Sequence, residues 1–161
     1  MSVQKAPEAI RDAVPSFEEF FTQAWPWAFR LASFLTHDTE AGEDIAQEVF
    51  TTMSQRWPVA DRPAAYLRTS LVNASINWNR RNRTMCDKLP LLAGTNSVEF
   101  RVDELADAIA HLPIRQRTVI VLRYYEGLSE TEIAETLDCR RGTVKSLASR
   151  ALNKLSKEIE K

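Results

Sequence analysis

Apolar residues in this chain recur every three or four positions, the period of a helix with one buried face, in two blocks separated by a stretch without that rhythm. In the first block Phe17, Phe20, Phe21, Ala24, Trp27, Ala28, Leu31, Phe34 and Leu35 predict one face of a helix. Ser16 and Glu19 have the spacing of a capping box and place its start. Pro26 falls inside the pattern. It has no N–H to donate, and its ring crowds the preceding turn, so it is expected to kink or restart the helix. A second helix is expected from about Glu40 to Arg56, with Ile45, Val49, Phe50 and Met53 inward. Pro58 marks a short loop, and Pro63 suits the first turn of a third helix that runs through Tyr66, Leu67, Leu71 and Ile76 toward Arg83.

In the second block Ser129 and Glu132 form another capping box, which starts a helix at Glu130 with Ile133, Ala134 and Leu137 on its apolar face. Ala134 stands where this helix crosses the next, and a larger side chain would push the two apart. The turn follows at Asp138 and Cys139. A positive φ is expected at Asp138, a conformation Asp tolerates better than most residues. Val144, Leu147, Ala148, Ala151 and Leu155 then form the buried face of a final helix. Between the blocks, Pro90, Gly94, Asn96 and Ser97 interrupt any periodicity. The expected fold is all-α: a disordered tail over 1–15, a helical domain over 16–84, a flexible linker over 85–102 and a helix-turn-helix domain over 103–161. At 161 residues the chain suffices for two such small bundles.

Charge sharpens the picture because it is segregated while the net charge is only −1. From Cys139 to Lys157 the charged residues are Arg140, Arg141, Lys145, Arg150, Lys154 and Lys157, with no acid among them. Opposite the apolar face of that helix, Arg141, Lys145, Ser146, Ser149 and Arg150 have the reach to enter a major groove, which is about as wide as a helix. A solvated basic surface is the plain alternative. The capped helix, small crossing residue and tight turn just before it favour a DNA-reading motif. Asp38, Glu40, Glu43, Asp44 and Glu48 form a run without bases, and Arg62, Arg68, Arg80, Arg81 and Arg83 a run without acids. The first suits a basic partner and the second phosphate, unless the two neutralise each other across the fold.

Several classes of function are disfavoured. No stretch approaches the roughly 20 apolar residues of a membrane span, and the polar N-terminal tail lacks the apolar core of a signal peptide, so a cytoplasmic protein without a membrane partner is expected. Cys86 and Cys139 are lone thiols, His37 and His111 are isolated, and four Gly leave scarcely enough material for a phosphate-binding loop. Neither an enzyme nor a bound cofactor or metal is expected. Cys139 is expected to be a buried turn residue.

GEDIAQEVF (Gly42 to Phe50), RPAAYLRTSLVNASINWNRRNR (Arg62 to Arg83), LPIRQRTVIVLRYYEGLSETEIAETL and GTVKSLASRAL, in that order, resemble the two conserved regions of a bacterial RNA polymerase sigma factor of the extracytoplasmic-function group. Trp25-Pro26, RWPVADRPAAYLR and WNRRNR resemble the actinobacterial subset named after SigE. The resemblance implies that Asp44, Gln47, Glu48 and Phe50 dock on a coiled coil of the polymerase largest subunit. It further implies that the third helix and the loop before it open the minus-ten promoter element and hold its non-template strand. Asn73, Asn77, Trp78, Arg80, Arg81 and Arg83 are residue types suited to that task.

Of these, the three arginines suit phosphates, while Asn73 and Asn77 would either read a base edge or cap nearby backbone. Trp57 and Trp78 are more often core or rim aromatics than stacking platforms. The resemblance also places Lys145, Ser146, Ser149 and Arg150 against bases of the minus-thirty-five element and Arg140, Arg141 and Thr143 against phosphates. Where relatives commonly have a capping Ser, Arg140 leaves the first N–H groups of the helix to water, to Asp138 or to a phosphate. The implied partners are core RNA polymerase, through its largest-subunit coiled coil and its flap, and promoter DNA, with room for an anti-sigma factor. A plain helix-turn-helix regulator and a sigma-like decoy that only sequesters an anti-sigma factor are the alternatives.

Overall fold

The computed structural model describes residues 16–58, 61–86 and 104–159. The expected tail over 1–15 lies outside them, as does the expected linker over 85–102 except for Met85 and Cys86, which end a helix. Every regular element among the described residues is helical, in the order α1 (Phe17–Thr36), α2 (Thr39–Ser54), α3 (Pro63–Cys86), α4 (Glu104–Ala110), α5 (Ile114–Ile120), α6 (Glu130–Thr136) and α7 (Arg141–Ile159). A single π-helical turn, Val121–Tyr125, continues α5.

Local chemistry sets the turns of the first three helices. Ser16 Oγ accepts from the Glu19 N–H at 3.3 Å and starts α1. α1 then runs unbroken through Pro26, which corrects the expected restart. Pro26 is exposed, so its ring and the lost hydrogen bond face water, while Ala24, Trp27 and Ala28 hold the helix from the core side. His37 ends α1 with φ 55°, and Asp38 Oδ1 accepts from the Ala41 N–H at 2.9 Å to start α2. α2 can fold back so closely because of Gly42. A Cβ there would stand 2.3 Å from Ser33 Oγ and 2.6 Å from the Ser33 backbone nitrogen.

The predicted core faces hold with one exception among the large side chains of α1. Phe21, expected inside, is 37% exposed because it lies at the edge of the stripe and looks into the groove between α1 and α2.

The two halves of the chain share a core. Phe20, Trp27, Leu31, Val49 and Leu71 from the first half belong to one apolar cluster with Val119, Leu122, Ile133, Val144 and Ala148 from the second. Leu112, Ile120, Ala151 and Leu155 form a smaller cluster beneath α7. Polar links cross the same boundary. Arg117 donates to the Leu35 carbonyl at 2.7 Å and also to the carbonyls of Ala110 and Leu112, so one guanidinium closes the ends of two elements. Burial lowers its pKa. Trp27 Nε1 donates to Glu126 Oε1 at 2.8 Å, and Arg68 Nε stands 3.5 Å from the other carboxylate oxygen, an ion pair at the limit of hydrogen bonding. Glu126 is fully buried, and burial raises its pKa against the opposing pull of Trp27 and Arg68.

Candidate nucleic-acid interface

α6, the turn and α7 form the helix-turn-helix from strictly local causes. Ser129 Oγ accepts from the Glu132 N–H at 3.2 Å and Glu132 Oε2 accepts from the Ser129 N–H at 2.8 Å, a complete capping box. The Ser129 N–H, and then the Ser129 hydroxyl, hold the Glu132 carboxyl below its ordinary range, with a smaller contribution from the charges of Arg68 and Arg62. At the other end the Cys139 N–H donates to the Ala134 carbonyl at 3.0 Å, and Asp138 takes φ 46°, as its place in the turn requires. Ala134 is buried at the crossing, and Cys139 is half-buried rather than fully enclosed. The Arg140 carbonyl accepts from the N–H groups of Thr143 and Val144 at 2.9 and 3.2 Å, which starts α7 through backbone alone.

With Val144, Ala148, Ala151 and Leu155 buried, α7 turns its other side outward. Arg141, Lys145 and Ser149 follow each other at one-turn intervals, with Ser146 and Arg150 on the adjoining row, and all are exposed. Arg140 and Thr143 are exposed at the head of the helix. All seven predicted residues are thus exposed on α7 or at its head. The structure adds Glu130, whose carboxylate lies within 4 Å of Arg141 and Lys145 and which the sequence pattern marked only as a helix start.

On α3, Asn73, Asn77, Arg80 and Arg81 are exposed along one stripe. Arg80 Nη2 donates to Asn77 Oδ1 at 3.2 Å, so this pair is held together before any ligand arrives. Trp78 is half-buried against the core, and Trp57 is a rim aromatic whose ring centroid lies 5.0 Å from that of Phe20. The Arg83 side chain lies outside the described residues. Asn79, not singled out in the sequence, donates to the Leu35 carbonyl at 3.1 Å and to the Ser75 carbonyl at 2.8 Å, tying α3 to the end of α1.

On α2, Asp44, Gln47 and Glu48 are exposed, and Gln47 Nε2 donates to Glu43 Oε1 at 3.4 Å. Phe50 differs from them, being only 2% exposed and packed edge-on to Phe21 at 4.9 Å. It supports the helix from behind and forms part of the wall of a shallow groove of about 380 Å³ with Phe17, Phe21, Trp25 and Gln47. Among the described residues no group of three His, Cys, Asp or Glu could hold a metal, and no helix is long and apolar enough to cross a membrane.

Known proteins match both halves. The model for sigma-70 region 2 matches residues 20–84 and that for sigma-70 region 4 matches residues 103–155. The RNA polymerase sigma-E factor of Streptomyces avermitilis is 33% identical over 155 residues, covering 91% of this chain and 87% of that protein. The ECF RNA polymerase sigma factor SigL of Mycobacterium tuberculosis is 33% identical over 162 residues, covering 89% and 88%. In fold, the chain is similar to the sigma factor RpoE in complex with the anti-sigma factor NepR from Bartonella quintana, with TM-score 0.70, 22% identity and coverage of 89% of this chain and 96% of that one. It is also similar to CnrH in complex with the cytosolic domain of CnrY, with TM-score 0.64, 19% identity and coverage of 96% and 94%.

Proposed function

Because the chain belongs to the extracytoplasmic-function group of sigma-70 RNA polymerase sigma factors, it is an alternative sigma factor that directs transcription initiation, and we propose how its residues divide that work. The exposed acidic face of α2, Asp44, Gln47 and Glu48, docks on the polymerase largest-subunit coiled coil, while Phe50 fixes that face from beneath. The stripe Asn73, Asn77, Arg80 and Arg81, joined by Arg83 and flanked by Trp78, takes the non-template strand of the minus-ten element. Its guanidinium groups hold phosphates, and its amides meet base edges or backbone. Lys145, Ser146, Ser149 and Arg150 read the minus-thirty-five element in the major groove, while Arg140, Arg141 and Thr143 meet phosphates at the α7 N-terminus, where a helix favours anions.

Residues 16–84 and 103–161 then act as two functional units in the cytoplasm. Region 4 rests on the polymerase flap, and a cognate anti-sigma factor controls access. These roles are those of a transcription initiation factor, not of an enzyme.

One observation carries the proposal: a single chain presents an acidic helix face and two separate cation-bearing faces outward from a shared apolar core. The two promoter elements lie about 25 base pairs apart, roughly 85 Å along the duplex at about 3.4 Å per base pair. α3 and α7 belong to halves that share a core, so the halves must part before both faces can reach one duplex. Docking on polymerase supplies that separation and makes the second DNA contact intramolecular. The free chain therefore binds promoter DNA weakly. A gel shift with the isolated chain tests this: tight, sequence-specific binding at physiological salt contradicts the account, and weak, salt-sensitive binding supports it. A plain regulator has no use for the α2 face, and capture of core RNA polymerase by the chain separates the two.

A further inference from the structure

Glu130 stands among three cations, one from the π-helical turn and two from α7. Its Oε1 lies 3.6 Å from Arg123 Nη1, and its Oε2 lies 3.8 Å from Arg141 Nη2 and 3.9 Å from Lys145 Nζ. The side chain is 24% exposed, whereas those of Arg141 and Lys145 are 63% and 64% exposed. Arg123 also sits 5.7 Å from the ring centroid of Tyr124. Capping does not account for this placement, because Ser129 and Glu132 already close the start of α6. A first-turn acid complements the helix dipole, but that role does not require a carboxylate aimed at α7.

On a surface that meets DNA, a carboxylate is a liability unless it discriminates. A phosphate that takes Lys145 must first displace it from Glu130 and then tolerate the carboxylate's charge, and phosphates are the same at every sequence. A base edge in the groove carries no formal charge, so Lys145 can extend to it while Arg123 stays paired with Glu130. An element that weakens wrong complexes more than right ones raises specificity even where it lowers affinity.

We propose that Glu130 is a specificity-determining residue for the minus-thirty-five element: its carboxylate orients Lys145 over the groove and penalises capture of this lysine by phosphate at non-cognate sequences. The proposal rests on Arg141 and Lys145 being DNA-facing groups. Each of the three ion pairs is weak when taken singly, so the combined effect is a matter of several-fold changes and not of loss of binding.

The test compares the full chain with Glu130→Gln on a duplex of random sequence across a salt series, then compares both, assembled with core RNA polymerase, on a library randomised at the minus-thirty-five position. Glu130→Gln is expected to bind the random duplex roughly three- to tenfold more tightly, with a salt dependence steeper by about one released ion. It is also expected to show weaker base preference in the library. Glu130→Asp, which keeps the charge on a shorter arm, is expected to fall between the two and serves if the amide variant fails to fold. Unchanged random-duplex affinity together with unchanged preference overturns the proposal. Lys145→Ala and Arg141→Ala run in parallel locate a failure. If they alter preference and Glu130→Gln does not, the role of Glu130 alone is wrong; if neither alters anything, the DNA-facing assignment of α7 falls with it.

Discussion

Trp27 donates its indole N–H to the buried carboxylate of Glu126 at 2.8 Å, although 99 positions separate the two residues in the chain. This bond, with Arg68 at 3.5 Å from the same carboxylate, sits inside the core shared by the halves that carry the two DNA-facing helices. A buried polar group of this kind matters most when its partner is removed.

Glu126→Ala is therefore expected to destabilise the chain by about 1–3 kcal/mol, the cost of stranding a buried donor. Glu126→Gln, which keeps an oxygen for Trp27, is expected to cost less. Chemical denaturation followed by tryptophan fluorescence measures both, and equal stability of Glu126→Ala and the parent chain would show that the contact is idle.

The pH dependence has two opposing parts. The folded-state pKa of Glu126 is raised by burial, so its contribution is fully present below the ordinary Glu value of 4.5 and is lost as pH rises through the raised value. Glu132 is lowered by the hydrogen bonds its carboxyl takes from the Ser129 N–H and hydroxyl, so its contribution is present above 4.5 and is lost as pH falls through the lowered value. The stability of the parent chain relative to Glu126→Gln should accordingly decline as pH rises above about 4.5. A difference that grows with pH would contradict the direction of the Glu126 shift.

At the crossing of α1 and α2, Gly42→Ala forces a methyl group against the Ser33 backbone, which cannot yield as a flexible side chain would. A loss of about 1–3 kcal/mol is expected from overpacking. Because α2 carries the acidic face, weaker capture of core polymerase should accompany it. A thermal melt and a pull-down on the same sample read both effects.

Glu48 is exposed, so reversing its charge tests docking without disturbing the core. Glu48→Lys should leave the far-ultraviolet circular dichroism unchanged and weaken binding to core polymerase by about tenfold, or ~1.4 kcal/mol. Unchanged affinity in a titration of labelled chain would remove α2 from the docking surface.

What could be foreseen in the sequence was whatever a few neighbouring residues decide. The Ser129–Glu132 capping box, the positive φ of Asp138 and the buried row from Val144 to Leu155 depend on spacing alone, and with them the outward row Arg141–Lys145–Ser149 was legible. Pro26 does not restart α1, because the effect of a proline depends on which side of the helix it occupies, and only packing decides that it faces water. Glu126 gave no sign of burial, since an acid beside Gly127 in a turn ordinarily faces solvent. Its partners come from Trp27 and Arg68 in the other half, which no local period connects. Glu130 was hidden for a related reason: its three cations come from the π-helical turn and from α7, not from its own helix.

The most direct measurement is run-off transcription with purified core RNA polymerase on a library of genomic promoters, comparing the parent chain with the Lys145→Ala, Arg150→Ala double variant. The account predicts that the parent chain lets polymerase start RNA at a discrete set of promoters. It predicts that the double variant still binds core polymerase but loses selectivity for their minus-thirty-five elements. Absence of any start with the parent chain, or loss of polymerase binding together with selectivity in the double variant, would contradict it.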